Sequence, residues 1–452
     1  MTTQTIPRPR RIVVLAVILA VAAVLVAGLL GGCGSSGSQA ARSSDRPSPV
    51  RTRPAVPATI AHSAAPDGGL TPAQIRTAYD LGPLTAGHID GSGQTIVIVD
   101  SFGSPTIAAD ISRFDSYFGL PAPPSFRVIQ PTGKVPAFHR GNGNRAGWAM
   151  ETTLDVEWAH VMAPGASIVL VETPTSENEG TTGFPQIVAA EKYVLRHQLG
   201  QVISQSFAAT EQTFPSKASL LNLRSAYQLA ARDHVTVLAA TGDQGATGET
   251  YSMRTEYTTR AVAWPGTDPL VTAVGGTEVF LRANGSRRRP DVAWGFSGGG
   301  RSIIFGRPSY QNGVRNRTGD HRGVPDVSMD ASCASSVAIY FSFSGKGTWS
   351  TICGTSLATP LFAGIVALAD QYAGHGKAHG LGLINPAIYA IAARHEPGIV
   401  DIRTGNNSYS FSRNGTYYTV PGFSAVRGYD LVSGAGTVDA AYFVPELAKL
   451  AG

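Results

Sequence analysis

Gln94-Thr95-Ile96-Val97-Ile98-Val99-Asp100 decides the fold. An unbroken β-branched run that ends in an acid reads as a strand buried on both faces, the kind found in parallel sheets. Working outward, residues 106–118 carry helical periodicity, 167–172 (SIVLVE) form a second strand and 184–197 a second helix. Residues 202–206 (VISQS) and 235–240 (VTVLAA) add strands, with a helix expected over 220–233 between them. Strands alternating with helices imply right-handed βαβ units, hence an α/β fold with a mainly parallel central sheet covered by helices on both faces. Such sheets bind ligands beyond the carboxyl ends of their strands. Asp100 and the small polar residues that follow the other strands are therefore the first places to look.

Of the 452 residues, 43% are hydrophobic and 15% charged, enough for a large core. The net charge of +5 owes much to the first 53 residues, where seven arginines face only Asp45. No Lys/Arg block interleaved with aromatics follows, which argues against nucleic acid as a partner. Arg8, Arg10 and Arg11 precede an uncharged apolar run over 12–30, the pattern of an export signal or, uncleaved, a signal anchor. Leu30-Gly31-Gly32-Cys33 resembles a bacterial lipobox, so residues 1–33 are expected to export the chain and hold it to the membrane by lipid or anchor. Residues 34–69 are rich in Ser, Ala, Pro and Arg and read as a tether. The folded part is expected over 70–452, opening at Thr71-Pro72 as N-cap and first helical residue, and it is expected to be monomeric. With Cys33 set aside, Cys333 and Cys353 remain, an even pair that an oxidising compartment can join and a reducing one leaves as buried thiols.

Gly354-Thr355-Ser356-Leu357-Ala358-Thr359-Pro360 leads into an apolar helix expected over 361–372. A serine at a helix N-terminus lies beside free N–H groups and the positive end of the helix dipole, which suits a developing oxyanion. It also needs a base. None of the ten histidines stands in a glycine-rich setting, and His160, followed by Val-Met-Ala-Pro, reads as structural. Glu151 and Asp155 lie four apart on one face of a helix expected around 147–160, flanked by Trp148, Met150, Leu154, Val156 and Trp158. Two acids on an apolar helix disfavour joint ionisation and tend to share a proton.

These motifs together resemble the sedolisin family of serine-carboxyl peptidases. The resemblance implies a subtilisin-like three-layer sandwich and an acyl-enzyme on Ser356, with Glu151 as general base and Asp155 as its orienter. Asp243, in Gly242-Asp243-Gln244-Gly245 after VTVLAA, matches the family's oxyanion-hole aspartate. A carboxyl donates to an oxyanion only while protonated, so acid activity on polypeptides is expected, ending as Asp243 ionises. The family's single calcium ion falls on Asp401 and Asp430 as side-chain ligands, with carbonyls of Ile402, Val426 and Gly428. Val202 to Phe207 resembles the family segment that pairs with an extended substrate, while Ser297-Gly298-Gly299-Gly300 and Pro325-Asp326-Val327-Ser328 match landmarks read as structural. The family's long prosegment has no evident counterpart in the short polar tether, which implies unaided folding or control by a partner. Two rival readings stand beside this one: an envelope binding protein on the same fold without turnover, and a histidine-dependent subtilase.

Overall fold

The computed structural model describes residues 64–451, except 178, 377–378 and 395–396. The expected signal, lipobox and all but the end of the tether lie outside the described residues. Seven parallel strands form the central sheet: β1 (Thr95–Ser101), β2 (Phe126–Ile129), β3 (Ser167–Thr173), β4 (Val202–Gln205), β5 (Thr236–Ala240), β6 (Thr272–Glu278) and β7 (Val327–Asp330). Their order is β7-β6-β5-β4-β1-β3-β2, with the short strand Val292–Ala293 antiparallel to β6. The helices that matter here are α1 (Ile107–Phe118), α2 (Gly143–Met162), α3 (Phe184–Arg196), α4 (Ser225–Arg232), α5 (Thr355–Tyr372) and α6 (Ala440–Ala451).

Alternate side chains of each strand leave opposite faces of the sheet, and here each face has its own core. Ile96, Ile98, Ile168 and Leu170 pack with Phe114 of α1, Trp158 of α2, Leu361 and Ile365 of α5 and Phe443 of α6. Val97, Val99, Val169 and Val171 pack with Phe184 and Ile187 of α3 and Tyr227 of α4. Each fully buried Val, Ile or Leu contributes roughly 1.5–3 kcal/mol, and this accounts for β-branched runs with no polar alternation. The three layers expected from the sequence are present.

Three local expectations need correcting. The helix expected over 220–233 is broken: Lys217–Leu221 and Ser225–Arg232 are separate. The helix expected from 361 starts at Thr355, so Ser356 is its second residue and Pro360 lies inside it. β4 is paired along its length, Ile96–Ile98 with Val202–Ser204 on one side and Val202–Gln205 with Thr236–Ala239 on the other. A strand with both edges bonded has no backbone to offer a peptide, so any pairing with substrate starts beyond Gln205.

A hairpin of Val337–Phe341 and Thr348–Ile352 docks on α2, where Trp158 Nε1 donates to Ala338 O at 3.0 Å and Tyr340 N to Glu157 Oε2 at 3.2 Å. Cys333 and Cys353 form a disulfide at its base, one residue before Gly354.

Candidate active site

The nucleophile loop is held by close backbone approaches. Gly354 has a φ of +119°, a region that L side chains rarely adopt, and a Cβ there would stand 2.7 Å from Asp243 Oδ2. Its neighbour Thr355 donates from N and from Oγ1 to Asp243 Oδ1, each at 2.8 Å, while Gly242 N donates to Thr355 Oγ1 at 3.1 Å. The turn that carries Asp243 is backed in turn by Gly298, whose N donates to Gly242 O at 2.8 Å. A Cβ on Gly298 would lie 2.0 Å from Thr241 O. The triple-glycine landmark thus serves close packing behind Asp243. Burial raises the Asp243 carboxyl, opposed by the two Thr355 donors.

α2 brings its acids to the same place. Asn142 caps it, its side chain accepting from Arg145 N at 3.2 Å. Asp155 is fully buried and Glu151 partly so. Burial pushes Glu151 up to about 8; the nearby Ser356 hydroxyl lowers it, and the charges of Asp100 and Asp243 raise it. Asp155 is pushed well above the usual carboxylate range by burial, then by Asp100 and Glu151, while Ser206 lowers it by donating to Oδ1 at 2.9 Å. Asp100, at the carboxyl end of β1, is raised to about 7 by burial, with the nearby Thr152 hydroxyl opposing the shift. Ser356, Glu151, Asp155 and Asp243 are therefore one electrostatic group, with Asp100 beside it.

Two residues of this neighbourhood escaped the sequence reading. Glu177, in the loop after β3, is raised well above the usual range by burial and by Glu151. It belongs to no recognisable motif, and only its place just past a sheet strand could have flagged it. Ser206 stood in a quoted segment, but nothing in its neighbours signals a contact with α2. His160 lies elsewhere: its Nε2 is 2.7 Å from Pro121 O and 3.5 Å from Asp115, and burial lowers its pKa to about 4. It reads as a structural histidine, which leaves the histidine-dependent alternative without its best candidate.

The expected calcium ligands gather at one loop far along the chain. Asp430 Oδ2 accepts from Val426 N at 2.9 Å, and its Oδ1 from Val432 N and Ser433 N at 3.0 and 2.8 Å. Asp401 accepts from Gly428 N at 3.1 Å and from Arg403 Nε at 2.8 Å. Residues 426–430 thus touch both carboxylates, and two carboxylates with three carbonyls are the hard oxygen set that calcium takes. No cluster of three or more His, Cys, Asp or Glu suited to a metal occurs among the described residues.

Residues 142–383, more than half the chain, match the subtilase family. Over 439 residues the chain is 30% identical to tripeptidyl-peptidase sed4 of Aspergillus fumigatus, covering 85% of this chain and 68% of that one. It belongs to the sedolisin family. It is also 30% identical to kumamolisin of Bacillus sp. (strain MN-32) over 380 residues and 25% identical to sedolisin of Pseudomonas sp. (strain 101) over 384 residues. It covers 62% and 60% of those two relatives, so it spans rather less than two thirds of their length. The structure of Pseudomonas sedolisin, a serine-carboxyl proteinase complexed with pseudo-iodotyrostatin, agrees in fold at a TM-score of 0.68 and 23% identity, over 85% of this chain and 99% of that one. The two thus share their fold over most of this chain.

Proposed function

We propose that this sedolisin-family chain is an exported, acid-active serine endopeptidase that cleaves polypeptides through an acyl-enzyme on Ser356. The observation that carries the reading is the meeting of Glu151, Asp155 and Asp243 around the N-terminus of α5. The Glu151–Asp155 pair loses its first proton more readily than its second. In the singly protonated pair, Glu151 takes the Ser356 proton as Oγ attacks the scissile carbonyl carbon. Burial makes it a stronger base than an exposed carboxylate, and Asp155 keeps the remaining proton. Asp243, bound through Oδ1 to Thr355, is left to donate from its other oxygen to the oxyanion. Glu151 then protonates the leaving amine, and water, activated by the same group, releases the acyl chain. A calcium ion held by Asp401, Asp430 and the carbonyls of Ile402, Val426 and Gly428 would brace the C-terminal loop. The arginine-led apolar run and Cys33 support export and lipid or membrane anchoring.

The test is hydrolysis of a denatured protein across pH by the purified folded chain. Ser356→Ala is expected to lower kcat by at least about 10⁴-fold, because only binding and oxyanion contacts remain. Asp243→Ala is expected to cost about 10²–10³-fold, the usual effect of losing one oxyanion donor. Asp243→Asn keeps a donor at every pH and is expected to remove the alkaline fall in rate. Since burial raises Asp243, that fall lies above the ordinary carboxyl range; a flat profile from about pH 4 to 8 would falsify the acid-donor role.

A further inference from the structure

Pro360 stands inside α5, four residues after Ser356. A helix pairs each carbonyl with the N–H four residues on, and proline has none to give. The carbonyl of Ser356 therefore loses its regular helical donor. Ser206 Oγ takes up that position, 3.2 Å from Ser356 O, and lies 2.9 Å from Asp155 Oδ1. Ser206 follows β4 directly and is only 7% exposed. A serine hydroxyl has one proton, so it donates to one of these two acceptors at a time. The other contact is a hydrogen bond only if the partner itself donates, which a carbonyl never does and a protonated carboxyl does.

We propose that Ser206 is a positioning residue that ties the backbone of Ser356 to the proton on Asp155, a role that rests on the peptidase reading above. With a proton on Asp155, the carboxyl donates to Ser206 Oγ and Ser206 donates to the Ser356 carbonyl, so the relay is complete. With Asp155 ionised, Ser206 turns to the carboxylate, and the Ser356 carbonyl is left short of a donor in the first turn of the helix. The titratable groups facing Asp155 are Asp100 from β1 and Glu151 from its own helix, and both favour the proton on Asp155. One hydroxyl therefore joins the carboxyl end of the sheet, the acid helix and the nucleophile helix.

The test is a double-mutant cycle on the folded full chain, read by steady-state kinetics on a peptide substrate and by the labelling rate with a serine-reactive fluorophosphonate. Ser206→Ala is expected to lower kcat about 10- to 100-fold, the cost of a buried donor, while KM changes less than about twofold. Ser206→Thr, which keeps the hydroxyl, is expected to restore most of that loss. Pro360→Ala returns an N–H to the helix, and in that background Ser206→Ala is expected to cost at least about fivefold less than in the native chain. Equal costs in the two backgrounds, or a Thr variant as slow as Ala, overturn the proposal. If Ser206→Ala does not fold, Ser206→Cys, a weaker donor, replaces it in the cycle and is expected to lower kcat by about threefold or more; full wild-type kcat overturns the proposal. A wild-type chain that neither labels nor turns over overturns the peptidase reading itself, and the role of Ser206 with it. A wild-type chain that labels, with Ser206→Ala at undiminished kcat, overturns the role of Ser206 alone.

Discussion

The acids around Ser356 and those around Asp326 and Asp430 are buried to a similar depth but live in opposite surroundings. Asp326 accepts from Arg322 Nη1 and Nη2 at 2.6 and 2.5 Å, from Ala273 N at 2.8 Å and from Tyr389 OH at 2.8 Å, with both ionic side chains fully shielded from solvent. Asp430 is raised by burial, but three backbone N–H groups and the Ser433 hydroxyl oppose that shift. Around Glu151 and Asp155 the opposing partners are single hydroxyls, and the other influences are further acids. Donors decide the difference. Where a guanidinium or several amides meet a carboxylate, its oxygens are committed as acceptors and serve architecture. Where only a hydroxyl meets it, the proton stays and becomes available for transfer.

That contrast can be broken in three ways. The largest effect is expected from Asp326→Asn, which leaves the Arg322 charge buried without its partner; unfolding experiments should show a loss of about 3–5 kcal/mol. Glu151→Gln, which removes a charge from a site without a cation, should cost far less. Next comes the cation. Calcium at about 100 times its dissociation constant is expected to stabilise the folded chain by about 2.7 kcal/mol. In Asp430→Asn the calcium-dependent rise in melting temperature should vanish, while in Glu151→Gln it should persist. The smallest effect, taken per pH unit, is a slope. The Glu151–Asp155 pair keeps one proton above the ordinary carboxylate range in the folded chain, whereas the unfolded chain has released it. Its contribution is fully present below about 4.5 and is lost as pH rises to about 8, by at most about 1.4 kcal/mol per pH unit. Melting temperatures across that interval should fall less steeply in Glu151→Gln than in the native chain, and equal slopes would contradict the retained proton.

The sequence made the sheet legible because two buried faces demand continuous β-branched runs, and β1, β3 and β5 could be read from composition alone. Glu151, Asp155, Asp243 and Ser356 were legible because local spacing places each of them: a helical turn, a glycine turn, a small-residue helix start. Ser206 and the Arg322–Asp326 pair were not. Ser206 acquires its partners from α2 and α5, about 50 and 150 positions away in the chain. No periodicity encodes such a meeting. The start of α5 was misplaced because Pro360 usually marks a helix entrance, whereas here an outside hydroxyl stands in for the bond it cannot make.

The bridge between Cys333 and Cys353 has a practical corollary. A chain synthesised in a reducing cytosol lacks this covalent clasp, and the residues leading to Gly354 then rely on non-covalent contacts alone. Recombinant material for kinetic work therefore belongs in an oxidising milieu, with thiol titration as the check on each batch.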